Sequence, residues 1–290
     1  MIWAVDSKKE IENYPISPIF KYYREVLGKE NVALLPIDEN NPFLDFLNPK
    51  DIILLRTANE KVIDFAKNNC IRTTAEDFEK YEMVKDKLTL NRFFNRVGIL
   101  TPSQYSIQDL CEGSRYFVKP RFGAESIGIS QNSICDSISD VIKQVHYIQE
   151  KIGQEAIIED YIDGIDCTVA CYTIAGDPSK IYTFPMFVET SSKGNIQTHE
   201  GKCSFDEYCS AILGKEAEEI SSITQDVFLK LGLKHHARID FRKGLDGKFY
   251  LIDVNLLPGL GPTAHFAKCM LLCENKSYKD AIEAIIKSAS

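Results

Sequence analysis

The sequence predicts an α/β N-terminal unit followed by an α+β core made of two further units. Three observations carry that expectation. Strand-length apolar runs alternate with helical stretches up to about residue 83. A strand closing in lysine, Tyr116-Phe117-Val118-Lys119-Pro120, runs into a loop of small residues. The stretch from Arg238 to Gly259 reads as two strands joined by Leu245-Asp246-Gly247-Lys248, a hairpin-type connection. The chain accordingly divides into units at 1–83, 84–162 and 163–290.

Composition narrows the function classes. With 290 residues, 44% of them hydrophobic, the chain can bury two or three compact cores. It holds no run of about 18 apolar residues, and Met1-Ile2-Trp3-Ala4-Val5-Asp6 lacks a basic region ahead of its apolar stretch. A cytoplasmic protein without a membrane partner is expected. The nine cysteines are scattered, none in Cys-x-x-Cys spacing, and Cys167/Cys171 and Cys269/Cys273 sit in apolar contexts that suit reduced thiols. A formal charge of −8 disfavours a nucleic-acid partner.

In chain order, Ile2–Val5, a helix from Phe20 to Leu27, Val32–Leu35, Asp51–Arg56 and a helix from Asn59 to Asn68 predict a small parallel sheet flanked by helices. No glycine-rich phosphate loop lies among them. Leu90, Phe93, Phe94 and Val97 then recur at helical spacing, Gly98 ends that helix, and Pro102 keeps the chain extended after it. Lys87 lies at its start and, read alone, is a surface lysine. Lys119-Pro120 leads into Arg121-Phe122-Gly123-Ala124-Glu125-Ser126-Ile127-Gly128-Ile129, read as a small-residue loop and a second strand. Such a flap lets backbone N–H groups approach phosphates, although a plain hairpin with a long tip has the same pattern.

A helix from about Ser137 to Lys151 precedes Ala156–Asp166 and the strand Cys167–Ala170. Ile181–Val188 is a strand, and the polar loop Ser191–Asn195 after it has the character of a lid. His199 reads as an exposed loop residue, and His235-His236 as packed or solvated side chains. Helices from about Lys215 to Leu231 and Tyr278 to Lys287 are amphipathic cover.

The hairpin carries the chemistry. Asp253 and Asn255 are two apart and share one face of the pleat, Leu251 continues that phase, and the turn brings Asp240 beside them. Arg238, in phase with Asp240, adds a fixed cation. Taken singly, each acid could be a solvated side chain of an edge hairpin. The whole spacing, closed by Pro258-Gly259, suits magnesium or manganese held by hard oxygens together with substrate phosphates.

Together these motifs resemble the ATP-grasp ligases, nearest in pattern to the D-alanine–D-alanine ligases, over about residues 84 to 268. The resemblance implies an ATP-grasp core, two α+β units clasping ATP, with ATP and Mg2+ (or Mn2+) as cofactors. It makes Asp240, Asp253 and Asn255 metal ligands, and sets Arg238 at the transferred phosphoryl group. Lys87, Lys119 and Ser126 face the phosphates, and Lys202 the terminal one. Glu159 accepts from the adenine amine, the backbone at Asp160 and Ile162 pairs with the ring, and Asp166 binds ribose hydroxyls.

The chain also departs from that pattern. Asp253 stands where the family has Glu, and Asp166 likewise. Asp6-Ser7-Lys8-Lys9-Glu10 replaces a loop whose Glu holds the first amino acid, Cys203 replaces a lid tyrosine, and Glu125 and Ala264 replace serines. Glu125 is read as a catalytic, substrate-side residue, and Thr263 or the backbone of Gly259 and Leu260 as a substitute for the missing serine. The implied activity is ATP-dependent joining of a small carboxylate to an amine, amino acids or peptides, through an acylphosphate, with a homodimer allowed. The departures imply substrates other than D-alanine and leave open an L-amino-acid or peptide-modifying ligase. The alternative from another class is a non-catalytic ATP-binding module, against which the metal triad and the cations count.

Overall fold

The computed structural model describes residues 1–9, 17–38, 40, 42–123, 126–191, 194, 196 and 207–290. Its first sheet holds β1 (Ile2–Ser7), β2 (Val32–Ile37), β3 (Ile52–Leu55) and β4 (Arg72–Thr73), all parallel, in the order β2-β1-β3-β4. Parallel strands covered on both faces read as continuous apolar runs, and Ile53, Leu54 and Leu55 are each fully buried. Helices α1 (Ser17–Leu27) and α2 (Glu60–Asn68) accompany this sheet. Asn59 starts α2 by accepting from the Val62 N–H at 3.1 Å.

Helix α3 (Phe78–Lys85) contains the position read as a unit boundary, and the chain turns at Asp86 into α4 (Lys87–Arg96). The second sheet is antiparallel: β5 (Gln104–Tyr105), β6 (Tyr116–Pro120), β7 (Ile134–Cys135) and β8 (Ala156–Asp160), in the order β5-β8-β6-β7. The flap's expected second strand at 127–129 is absent. Ser126 and Gly128 have φ of 59° and 76°, which breaks extended backbone, and the partner of β6 comes later, as β7. A Cβ on Gly128 would sit 2.7 Å from Pro120 Cγ, so this turn packs against the strand only with glycine there. Helix α5 (Ile138–Tyr147), extended by a π-turn over Ile148–Ile152, covers this sheet.

The third sheet is antiparallel, in the order β11-β10-β9-β12-β13, and comprises β9 (Gly164–Ile174), β10 (Asp177–Thr190), β11 (Glu207–Ala211), β12 (His236–Gly244) and β13 (Phe249–Asn255). Helices α6 (Gly214–Lys230), α7 (His265–Glu274) and α8 (Tyr278–Ser288) complete it. The sequence reading lacks α7: Ala264 precedes it without a capping side chain, and no acid marks its first turn.

The first and third units share core. One apolar cluster joins Val5, Ile53 and Leu55 to Phe228, Ile239 and Leu251 and takes in Leu90 and Phe94 of α4, whereas Tyr116, Val118, Val141 and Ile158 form a separate core under the second sheet. The cleft between the second and third sheets is thus flanked by two independently packed bodies. The described cysteines are free thiols, as expected, and burial raises the pKa of Cys167 and Cys171. Among the described residues no helix is long and apolar enough to cross a membrane.

Candidate functional site

Strand β12 supplies the floor of the cleft. Ala237, Ile239 and Phe241 are fully buried in the core, so Arg238, Asp240 and Arg242 project from the opposite face. On β9, Thr168 lies beside Asp240 and Asp166 beside Arg242. On β13, Asp253 stands opposite Asp240 and Asn255 opposite Arg238.

Leu251 does not continue that face, contrary to the sequence reading. The register skips Ile252 between Asp240 and Phe241, a bulge that reverses the phase. Leu251 is therefore 3% exposed in the core, while Ile252 joins Asp253 and Asn255 on the cleft wall.

Every residue expected at the metal, phosphates, adenine or ribose that lies within the described part of the chain lines this one cleft: Lys87, Lys119, Ser126, Glu159, Asp160, Ile162, Asp166, Arg238, Asp240, Asp253 and Asn255; Gly259, Leu260 and Thr263, read as substitutes for the missing serine, are not among its lining residues. Glu125 and Lys202 lie outside the described residues, as do His199 and Cys203. Phe117, Ile129, Phe241 and Ile252 add apolar wall.

The charges are already paired with one another. Arg238 grips Asp240 in a forked contact, Nε to Oδ1 at 3.0 Å and Nη2 to Oδ2 at 2.8 Å, and Thr168 Oγ1 donates to Asp240 Oδ1 at 3.0 Å. Burial opposes the charge on Arg238, but Asp240 and Asp253 outweigh it and raise its pKa. Lys119 and Glu159 form an ion pair with side chains only 7% and 5% exposed. Glu159 is thus held by Lys119, a contact the sequence did not suggest. Lys87 Nζ donates to the Gly123 carbonyl at 2.6 Å and lies 4.0 Å from Asp253.

Helix α4 and the flap loop are fastened together. Asp86 accepts from the Leu88 and Thr89 N–H groups and from Arg121 Nε at 2.7 Å and Nη2 at 2.5 Å. The Arg121 guanidinium holds the Asp86 carboxyl well below the usual carboxylate range. Lys87 is therefore presented to the loop by a capped and ion-paired helix start.

Arg242 and Thr168 are the cleft residues the sequence reading missed. Arg242 donates to Asp166 Oδ1 at 2.6 Å, to the carbonyls of Ile162 at 2.7 Å and Gly164 at 3.1 Å, and to Gly194. Tyr161 also reaches the Gly194 carbonyl, at 3.2 Å. Both missed residues were marked by period-two phase, Arg242 with Arg238 and Asp240, Thr168 with Asp166. At the hinge, the stretch 156–166 that the resemblance sets against adenine, the Asp160 N–H is committed to the Ser103 carbonyl at 2.9 Å, and Tyr105 donates to the Asp160 carboxylate at 2.8 Å.

A second polar cluster lies where β11 meets α7. His265 Nε2 is 3.0 Å from both Glu207 oxygens, and Lys268 Nζ is 2.5 Å from one. The bond from His265 outweighs desolvation and lowers the Glu207 pKa to about 2. Cys209 Sγ is close by, but Lys268 already supplies the cation this carboxylate requires.

Residues 99–287 match the family described as D-ala D-ala ligase C-terminus. A D-alanine–D-alanine ligase of Maridesulfovibrio salexigens is 28% identical over 262 residues, covering 80% of this chain and 82% of that protein. Another, from Saccharophagus degradans, is 28% identical over 196 residues, 64% of this chain; the match spans 60% of that relative's length. Among solved structures, the Bacillus anthracis D-alanine–D-alanine ligase complexed with ATP superimposes with a TM-score of 0.71 at 18% identity, covering 99% of this chain and 96% of that one. The VanG D-Ala:D-Ser ligase of Enterococcus faecalis gives 0.69 at 15% identity, with 98% and 97% covered. The shared fold is the ATP-grasp arrangement of an α/β unit with two α+β units.

Proposed function

The chain belongs to the family of the D-Ala–D-Ala ligase C-terminus, and from that premise we propose that it is an ADP-forming carboxylate–amine ligase. One observation carries the reading: two carboxylates, an amide oxygen, two lysines and a clamped arginine converge on a single cleft in this fold. The acid's carboxylate oxygen attacks the terminal phosphorus of ATP, the bond from that phosphorus to the bridging oxygen breaks, and ADP leaves. The amine nitrogen then attacks the acylphosphate carbon and loses a proton, the carbon–oxygen bond breaks, and phosphate departs with the amide left behind.

The protein's part is positioning and charge compensation. Asp240, Asp253 and Asn255 are hard oxygen donors on adjacent strands and suit magnesium or manganese, which when bound offsets phosphate charge. Asp240 is oriented by Arg238 and Thr168. Lys119, rigid on β6, and Lys87, fixed to the flap, face the triphosphate side. The carbonyl of Asp160 and the N–H of Ile162 read the adenine edge, because the opposite backbone group of each is already bonded. Asp166, braced by Arg242, meets the ribose. The units at 1–83, 84–162 and 163–290 are taken as the bodies that close on ATP.

The substrates proposed are an acid and an amine other than two D-alanines, drawn from amino acids or peptides. Ala264 caps α7 without any side-chain hydrogen bond, so no hydroxyl stands there to hold a carboxylate. A screen of acid and amine pairs with ATP and magnesium, read as ADP release, tests the proposal. Release that requires both substrates and the divalent cation is expected; ATP binding with no substrate-dependent release by any pair would leave only the binding module.

A further inference from the structure

The face of β12 that carries Arg238 and Asp240 continues, in the direction away from the hinge, to His236. His236 is 1% exposed, and neither ring nitrogen has a hydrogen-bond partner. Its ring packs edge-on against Phe266 at 6.1 Å. Two polar groups of the N-terminal unit lie in the same region, Tyr23 buried and Arg56 partly buried. Arg56, just past β3, donates from Nη2 to the Pro258 carbonyl at 2.8 Å, while its Nη1 is buried without a partner. Tyr23, on α1, is 1% exposed, and its hydroxyl is likewise unpartnered. The charge of Arg56 is felt by both Tyr23 and His236. Tyr278 closes the group by donating to the Leu260 carbonyl at 2.8 Å.

Buried polar groups are ordinarily satisfied, and leaving one without a partner is costly. Here the unpartnered atoms come from three separate elements: Arg56 is bonded to the Pro258 carbonyl, Tyr23 shares one packed cluster with Leu260 and Phe266, and His236 rests on Phe266. A guanidinium N–H and a phenol O–H are donors, and the imidazole can be one, so what they lack in common is an acceptor. Among the described residues Arg56 forms no ion pair; the buried Asp6 carboxylate, whose charge reaches Tyr23, accepts from the Ser7 N–H and lies beyond ion-pair distance of Arg56, so the acceptor that suits Arg56 best is a further anion.

We infer that Arg56, Tyr23 and His236 form a subsite for a second, non-reacting carboxylate of the acid substrate, which is therefore a dicarboxylic acid or an acidic amino acid. The inference rests on the ligase reading and names the substrate class of that same site. The spacing agrees: one two-residue step along β12, on the order of 7 Å, separates Arg238 from His236. That matches the reach of a four- or five-carbon diacid and exceeds that of alanine.

The test is calorimetric titration of the full chain, in magnesium and ADP, with succinate and glutarate against propionate, and with aspartate and glutamate of either hand against alanine. At least one diacid is expected to bind ten or more times more tightly than its matched monoacid. The preference should fall below twofold in Arg56→Gln, shrink in Tyr23→Phe and return in part in Arg56→Lys, with ADP affinity unchanged in all three. Tyr23→Phe removes a single oxygen and serves where Arg56→Gln does not fold. No preference in the wild type, a preference that survives Arg56→Gln and Tyr23→Phe, or a cluster filled by water alone in a structure solved with the diacid would overturn the inference. ATP-dependent ligation of a monoacid would leave the ligase reading standing without it, whereas failure to bind nucleotide at all would remove the reading beneath both.

Discussion

Asp240 and Asp253 face each other directly across β12 and β13, with Arg238 clamped onto the first and Lys87 Nζ 4.0 Å from the second. Asp253 is the less engaged of the two, its side chain 31% exposed to the cleft. Replacing it by Asn keeps the shape and removes one ligand charge. We expect Asp253→Asn to fold normally and to lose about a hundredfold or more in turnover, with chelation abolishing activity in the wild type. Full turnover in the variant, or in excess EDTA, would rule out the metal assignment.

Lys119 and Glu159 test stability and binding separately. Removing one member of a buried pair strands the other charge, at a cost of about 3–5 kcal/mol. Lys119→Ala should therefore lower the denaturation midpoint of the nucleotide-free protein, and Lys119→Met with Glu159→Leu should recover it. Neither should bind ATP well, and both should be weaker than Lys87→Ala, whose lysine is 13% exposed against 7% for Lys119 and has no buried carboxylate partner to strand. Titration of ATP into each variant decides, and equal affinities throughout would contradict the phosphate-site reading.

Arg242 joins three backbone carbonyls, from two stretches of the chain, to Asp166. Arg242→Met keeps much of the side-chain volume but leaves a carboxylate and several carbonyls without their donor. A loss of about 3 kcal/mol in stability is expected. KM for ATP should rise more than kcat falls, because Asp166 and the hinge lose their brace while the metal hairpin keeps its own. A kcat defect at unchanged KM would be the contrary result.

The Glu207 carboxyl, held near pKa 2 by His265 and Lys268 against an ordinary 4.5, makes stability pH-dependent. A folded-state pKa below the unfolded one contributes stability that is fully present above about 4.5 and is lost as pH falls through 2. Glu207→Gln should cost about 2 kcal/mol near neutral pH, with the difference from wild type shrinking as pH drops below 4.5. Urea unfolding at pH 7, 5, 4 and 3 measures it; a gap that stays constant over that range would mean that Glu207 is not held by charge.

D-alanine should be a poor substrate for both sites. With no side-chain cap at Ala264, a carboxylate bound there lacks a hydroxyl partner, at about 1–3 kcal/mol, or roughly ten- to a hundredfold in specificity. Steady-state assays of D-alanine alone against a panel of L-amino acids, acidic amino acids and dipeptides should place it low. The highest kcat/KM of the panel for D-alanine would refute this.

Much of the site was legible because its determinants are local. A period of two puts Arg238 and Asp240 on one face of a strand whatever the rest of the chain does, and the apolar alternation through Ala237, Ile239 and Phe241 says which face is core. A Lys-Pro strand end and a glycine-terminated helix are likewise fixed by the chemistry of a few adjacent residues, and the motifs they make up carried the family resemblance.

Other features depended on residues far apart in sequence. The bulge at Ile252, which sends Leu251 into the core, is a matter of register between β12 and β13, and register answers to the packing of the whole sheet. Lys119 meets Glu159 only because β6 pairs with β8, and Arg242 serves the hinge only because β9 lies beside β12. Tyr23, Arg56 and His236 come from three elements in two units, and each reads in sequence as an ordinary polar or aromatic residue. The chain's local chemistry determined which strand faces could hold metal and phosphate. Which charges are paired, and which buried groups still want a partner, was decided by tertiary packing, because burial and pairing are properties of neighbours that the linear order does not name.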